Sequence, residues 1–251
     1  MKTKRIKLKI QYDGAEYCGW QLQPDAPTVQ GEIERALQTF CRTFIRLNGS
    51  GRTDAGVHST GQIAHCDIPD HIDIYKLKGA LNGLTKPSVT IQAIDEVSSS
   101  FNARFDATRR RYRYFMSEQP QAVFRNYVWS LGRKIDLDYL NNLSQLIKGE
   151  HDFEALSRTG SDVEHYHSIV YDCKWYTENG LYVFEISAIR FLRGMVRGIV
   201  GTFLEFEQEK RPFDELRVLL ESKDRSLAGK NAPAHGLILE EVNYEGEGSS
   251  V

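Results

Sequence analysis

The sequence predicts an α+β protein made of two similar sheet-and-helix halves that share a central sheet. Three observations carry this. Period-2 alternation marks strands in both halves, first at residues 4–12 and again at residues 110–116. Apolar residues at helical spacing follow in each half: Val29, Ile33, Ala36, Leu37 and Phe40, then Leu137, Leu140, Leu143, Leu146 and Ile147. Asn179-Gly180 between two apolar alternating runs is a strong hairpin signal.

Each element has its own local reason. Thr28, after Pro27, can cap the first helix with its hydroxyl. A glycine-rich stretch follows that helix. Residues 62–68 then read as a strand ending at Pro69, residues 75–83 as a short helix and residues 89–97 as a strand. In the second half, residues 127–131 add a possible strand and Asp136 opens a helix. Strands 166–176 and 181–189 flank the Asn179-Gly180 turn. A long helix is expected from Arg190 through Phe203, a further helix at 213–221 and a closing strand at 237–242. The join lies near residues 98–108, which divides the chain into halves 1–105 and 106–251 with no low-complexity linker between them. The tail 245–251 is expected to fray.

Composition narrows the function. A chain of 251 residues with 41% hydrophobic and 26% charged residues supports a substantial core. No apolar run approaches a membrane span, and no secretory signal follows the basic start Met1-Lys2-Thr3-Lys4-Arg5. Cys18, Cys41, Cys66 and Cys173 are scattered and form no C-x-x-C pair, which fits reduced thiols in cytoplasm. His165 and His167 are the closest histidine pair and have no third ligand nearby, so no metal site is expected. Neither a phosphate-binding loop nor a dinucleotide fingerprint appears, which favours cofactor-free chemistry.

The net charge of −2 does not predict a nucleic-acid partner, and the distribution of charge says more than the sum. Arg104, Arg109, Arg110, Arg111 and Arg113 crowd together, and three arginines with no acid lie between Ser187 and Phe203. Local basic surface on a near-neutral protein can still bind phosphates.

The densest chemical signal is Gly49-Ser50-Gly51-Arg52-Thr53-Asp54-Ala55-Gly56-Val57-His58, with Gly61-Gln62 beyond it. Its single carboxylate, Asp54, stands two residues after Arg52. In an extended backbone the two share a face, and the guanidinium favours an ionised carboxylate. Such a group can attack an electrophilic carbon. Taken alone, the same stretch also reads as a solvated surface turn. On strand 110–116, Arg110, Tyr112 and Tyr114 share one face, and Arg109, Arg111, Arg113 and Phe115 share the other. Arginine with aromatics grips phosphates and stacks bases, and Tyr112 is a candidate proton acceptor; the same pattern, at Arg109 and Arg111 above all, also reads as an amphipathic strand with a solvated basic face. The expected helix carries Arg190, Arg193 and Arg197 as one stripe and Gly194, Gly198 and Gly201 as another. The glycines read as close packing rather than as a membrane dimer motif.

Together these pieces resemble the TruA family of tRNA pseudouridine synthases. The likeness runs in order through Tyr12-Asp13-Gly14, Gly19-Trp20-Gln21, Gly51-Arg52-Thr53-Asp54-Ala55-Gly56-Val57-His58, Ala103-Arg104-Phe105, Arg110-Arg111-Tyr112-Arg113-Tyr114, Met195-Val196-Arg197-x-Ile199-Val200-Gly201 and Ala232-Pro233-x-x-Gly236-Leu237. Asn102 stands where family members often have histidine, and Arg193 lies where the family varies. The resemblance implies a pseudouridine synthase fold, with two ferredoxin- or RRM-like halves around a central, mainly antiparallel sheet. It implies isomerisation of uridine to pseudouridine at positions 38, 39 and 40 of the tRNA anticodon stem-loop. It also implies no metal or cofactor, and a cytoplasmic homodimer without membrane attachment. By the same likeness Asp54 is the nucleophile, Tyr112 contacts the target base, and Arg52 positions the RNA. Arg197 pairs with the catalytic aspartate. A non-catalytic RNA-binding module would explain the Arg/Tyr strand, but it gives no reason for Arg52-Thr53-Asp54-Ala55-Gly56.

Overall fold

A computed structural model describes residues 2–158 and 164–246. In chain order it contains β1 (Thr3–Tyr12), α1 (Val29–Cys41), β2 (Asn48–Gly49), β3 (His58–Pro69), α2 (Ile74–Leu84) and β4 (Val89–Val97). These are followed by β5 (Ala107–Ser117), β6 (Trp129–Ser130), α3 (Leu137–Gln145), β7 (Gly149–Asp152), β8 (His167–Glu178) and β9 (Leu181–Ala188). The chain closes with α4 (Met195–Glu209), α5 (Asp214–Ser222) and β10 (Leu237–Tyr244). Of the tail expected to fray, residues 247–251 lie outside the described residues.

The α+β expectation holds: the sheets are mainly antiparallel and carry helices. The chain forms two compact units, one running to Thr108 and resuming at Leu239, the other spanning Arg109–Ile238. The closing strand thus groups with the start of the chain, and no local signal in residues 237–244 announces that.

In the first unit the strand order is β4-β1-β3-β10, with β2 beside β3. Strand β1 pairs antiparallel with both β3 and β4. Its alternation buries Ile6, Leu8, Ile10 and Tyr12, and these pack with Val29, Ile33, Ala36 and Leu37 of α1 and Leu77 and Leu81 of α2. Thr28 caps α1 as expected, its hydroxyl accepting from Gly31 N–H. Glu34 on the buried face of α1 accepts from Gln30 Nε2 and from Leu47 N–H, both at 2.9 Å. This buried carboxylate ties the chain after α1 to the helix just before the glycine-rich loop.

In the second unit the order is β5-β9-β8-β7, antiparallel throughout, with the two-residue β6 parallel to β5. The hairpin at Asn179-Gly180 forms, with φ of 52° and 77° at its two residues, the signs that a type I′ turn requires. Strand β5 alternates as read: Arg110, Tyr112, Tyr114 and Met116 are buried, while Arg109 is exposed and Arg111, Arg113 and Phe115 are half-buried.

Several elements depart from the reading: β2 and β7 are additional, and β3 starts at His58 rather than Gln62. The strand expected at 127–131 shrinks to β6. The helix expected from Arg190 begins only at Met195. Its entry residue Gly194 has φ +73°, a left-handed conformation that cannot continue a helix backwards. The upstream carbonyls are also committed elsewhere: Arg190 O accepts from Ser168 Oγ at 2.6 Å, and Arg193 O from Arg158 N–H at 2.8 Å. Arg190 and Arg193 therefore do not share a helical stripe with Arg197. The other two glycines do line α4 for close packing. A Cβ on Gly198 would lie 2.2 Å from Leu156 O, and one on Gly201 1.8 Å from Lys230 O.

Burial leaves a pH signature. It pushes the Tyr12 phenol and the Cys173 thiol up to about 12, and it moves Cys66 and Tyr114 upward as well. Unfolded, such groups ionise at about 8.5 to 10. Their folded-state values are raised, so the unfolded chain releases protons first as pH rises. Their contribution to stability is intact below about pH 8.5 and is lost progressively toward pH 12. Urea-unfolding free energies measured from pH 8 to 11.5 are expected to fall by a few kcal/mol. A flat profile would mean that these groups are not held protonated by burial.

Candidate active site

The Asp54 loop connects β2 to β3 within the first unit. Its backbone alternates in exposure: Arg52 exposed, Thr53 buried, Asp54 half-buried. Arg52 and Asp54 thus both escape the core, while Thr53 between them is the anchor. The Thr53 hydroxyl lies 2.9 Å from Tyr12 Oη, and the Thr53 carbonyl accepts from Trp20 N–H at 3.1 Å. Gly56 N–H reaches Tyr17 O at 3.3 Å, and Val57 N–H reaches Asp54 O at 3.2 Å. Gly56 has φ +78°, so the chain reverses immediately after Asp54.

The segment 12–20 forms the wall on which this loop rests. Gly19 adopts φ +96°, and a Cβ there would sit 2.6 Å from Thr53 O. At Gly14 a Cβ would sit 2.0 Å from Val57 O. His58 Nδ1 lies 3.1 Å from Gly14 N and 3.0 Å from Asp13 Oδ1, which ties the end of this loop to the same wall. On the strand side, Ser50 Oγ and Gln62 Oε1 are 2.7 Å apart, and Gln62 Nε2 donates to Gly51 O at 3.1 Å. Gly49 carries no side chain because the Trp20 indole occupies that space, 2.6 Å from where a Cβ would be. Gly14, Gly19 and Gly49, with the small polar residues beside them, therefore serve one purpose. They let two backbone segments touch and hold the Asp54 Cα.

Replacing Thr53 by valine keeps the shape and removes the hydroxyl, leaving Tyr12 Oη without this partner. This is expected to cost about 1 kcal/mol of stability and roughly tenfold in turnover, read by thermal unfolding and initial rates.

In the second unit, Tyr112 lies on β5, 8% exposed, and meets Phe191 edge-to-face at 5.0 Å and 82°. Arg197 lies in the first turns of α4, half-buried. Its Nε donates to Ala232 O at 2.7 Å, and Ala232 N–H returns a bond to Arg197 O at 3.0 Å. Tyr114 Oη donates to Pro233 O at 2.7 Å, and a Cβ on Gly236 would lie 2.7 Å from the Tyr114 ring. The motif Ala232-Pro233-x-x-Gly236 thus acts as a backbone clamp on Arg197 and Tyr114. Burial raises the Tyr114 phenol despite the opposing field of Arg197, so Tyr114 stays a neutral donor.

The structure brings Arg52 and Asp54 onto one loop of the first unit, and places Tyr112 and Arg197 on β5 and α4 of the second. Sequence reading did not single out the supports: Thr53, Tyr12 and Gly19 around Asp54, and Ala232 and Tyr114 around Arg197. All five lie inside the motifs quoted above, so the signal was the motif itself. What was missing was the contact each residue makes. Among the described residues no group of three or more His, Cys, Asp or Glu is placed to hold a metal ion.

Comparison with known proteins decides the family. The profile described as tRNA pseudouridine synthase matches residues 9–106 and 143–245. The chain belongs to the tRNA pseudouridine synthase family. It is 41% identical over 251 residues to tRNA pseudouridine synthase A of Brevibacillus brevis, spanning 96% of this chain and 100% of that protein. Identity to the protein of the same description from Borrelia turicatae is 37% over 246 residues, again 96% and 100% of the two chains. The Porphyromonas gingivalis protein is also 37% identical, over 244 residues, covering 96% and 97%. This tRNA pseudouridine synthase is therefore an isomerase acting on tRNA. Both the Asp54 loop and its supporting wall, from Tyr12 on, fall inside the matched residues.

Proposed function

We propose that this synthase converts uridine to pseudouridine at positions 38, 39 and 40 of the tRNA anticodon stem-loop, with Asp54 as its nucleophile and no cofactor. The observation that carries the reading is the Asp54 loop. One carboxylate sits two residues from an exposed arginine, on a backbone held through Thr53 by Tyr12 and Trp20.

The reaction breaks the C1′–N1 bond of the target nucleotide and forms C1′–C5. N1 gains a proton and C5 loses one, so there is no net oxidation and no redox partner is needed. The target uridine first leaves its stack to expose C1′. Asp54 then drives cleavage of the glycosidic bond. Tyr112 stacks against the freed uracil and accepts the C5 proton after it rotates. Arg52 steers the RNA backbone and helps the base leave its stack, and Arg197 is assigned by the family resemblance to support the catalytic aspartate. We place the enzyme in the cytoplasm as a homodimer, in keeping with its scattered thiols and its family resemblance.

The test is a map of pseudouridine in tRNA from cells lacking this protein. Loss confined to positions 38–40, restored by the intact gene, supports the assignment. Unchanged positions 38–40 with loss elsewhere would reassign the RNA target.

A further inference from the structure

Residues 102–106 form a tight turn in the first unit, held from several directions. Asn102 Oδ1 accepts from Arg104 N–H at 3.0 Å and Phe105 N–H at 3.2 Å. Asn102 N–H donates to Asp106 Oδ2 at 2.8 Å, and Asp106 N–H to Asn102 O at 3.0 Å. Beneath the turn, Ala103 N–H donates to His65 Nδ1 at 3.1 Å, and Tyr244 Oη donates to Ala103 O at 2.7 Å. This mount displays an exposed aromatic ring with a cation over it. Phe105 is 76% exposed, and the Arg104 guanidinium lies over its ring at 5.4 Å.

We propose that Arg104 and Phe105 are a tRNA contact, with Phe105 offering a stacking face to a base and Arg104 pairing with the phosphate beside it. The proposal rests on tRNA being the substrate, which family membership supplies, and not on the assignment of Asp54. An exposed aromatic capped by a cation on a rigid turn is a surface that binds unstacked bases and phosphates. A rigid mount also avoids the entropy of ordering a loop on binding. Asn102 is then a positioning residue. Its amide is used inward, as in an Asx turn, so histidine is not needed there for the turn to form.

The contact is remote from the chemistry. Strand β3 runs from His58, beside the Asp54 loop, to His65, beneath Ala103. Seven residues at about 3.3 Å put roughly 23 Å between the two ends. That exceeds the reach of one nucleotide, so the pair grips another part of the tRNA, and its loss falls on affinity and KM rather than kcat.

The test uses the full-length protein and an unmodified tRNA transcript, with affinity measured across a salt series. Phe105→Ala is expected to weaken binding about tenfold, Phe105→Trp to retain it, and Phe105→Leu to behave like alanine, because stacking needs a π face. Arg104→Ala is expected to lower the salt slope by about one. Asn102→Ala should weaken binding as Phe105→Ala does, with Asn102→Asp restoring it in part, since an aspartate can still accept from the two N–H groups. Unchanged affinity for Phe105→Ala, or wild-type affinity for Phe105→Leu, would overturn the proposal. So would a change of oligomeric state in Phe105→Ala with tRNA affinity intact, since the patch would then cover a second copy of the chain. These readouts concern affinity only, so they hold or fail independently of which uridine is modified.

Discussion

Asp54→Asn is expected to abolish pseudouridine formation, with turnover falling about 10⁴-fold or more, while tRNA affinity changes little. The substitution is nearly isosteric, so Ala55 and the Gly56 reversal keep their backbone conformations. What disappears is the anionic oxygen able to act at C1′. No second acid stands in the loop from Gly49 to Gly61 to replace it. Single-turnover rates with excess enzyme, set beside filter-binding affinities, separate the two effects. Wild-type product formation by Asp54→Asn would remove Asp54 from the mechanism. A parallel collapse of affinity would make it a binding residue instead.

Gly19→Ala is expected to lower turnover about 100-fold although Gly19 has no side chain to offer chemistry. Two physical terms act together. The φ of +96° is a conformation that alanine adopts only with strain. The new Cβ would also meet Thr53 O at 2.6 Å, and that oxygen belongs to the peptide leading into Asp54. The backbone must give way by several tenths of an ångström, which breaks the Trp20 N–H to Thr53 O bond and swings Asp54 with it. Displacements of about 1 Å at a reacting group cost on the order of 10²-fold. Stability should fall by about 1–3 kcal/mol. The proper comparison is Gly51→Ala on the other side of Asp54, where a Cβ meets nothing within 4 Å and φ is not in the left-handed region. Equal losses in both variants would show that glycine content, not this one contact, governs the loop.

Much of the fold was legible because local chemistry and tertiary packing agree. Thr28 and Asp136 are capping residues that do cap, and the alternation in β1 and β5 does bury one face. The start of α4 was not legible. Leu192, Val196 and Ile199 keep helical spacing across a break set by the φ of Gly194 and by Ser168 and Arg158, which capture carbonyls from a distance. Periodicity cannot register a hydrogen bond made from over twenty residues away. Strands β2 and β7 are too short, at two and four residues, for any period to show.

The site followed the same division. Asp54 and Arg52 stood out because carboxylate, guanidinium and glycines are adjacent in sequence. Thr53 did not, because its importance lies in Tyr12 and Trp20, more than 30 residues earlier. Gly14 and Gly19 are equally opaque in sequence, because the atoms their missing Cβ would meet belong to Val57 and Thr53, more than 30 residues later.

The most direct measurement is pseudouridine mapping, nucleotide by nucleotide, on an unmodified tRNA transcript incubated with the purified protein alone in the presence of a chelator. The account predicts pseudouridine at positions 38–40 wherever the transcript carries uridine there, none elsewhere, and none with Asp54→Asn. Product at other positions only, or product formed equally by Asp54→Asn, would contradict it.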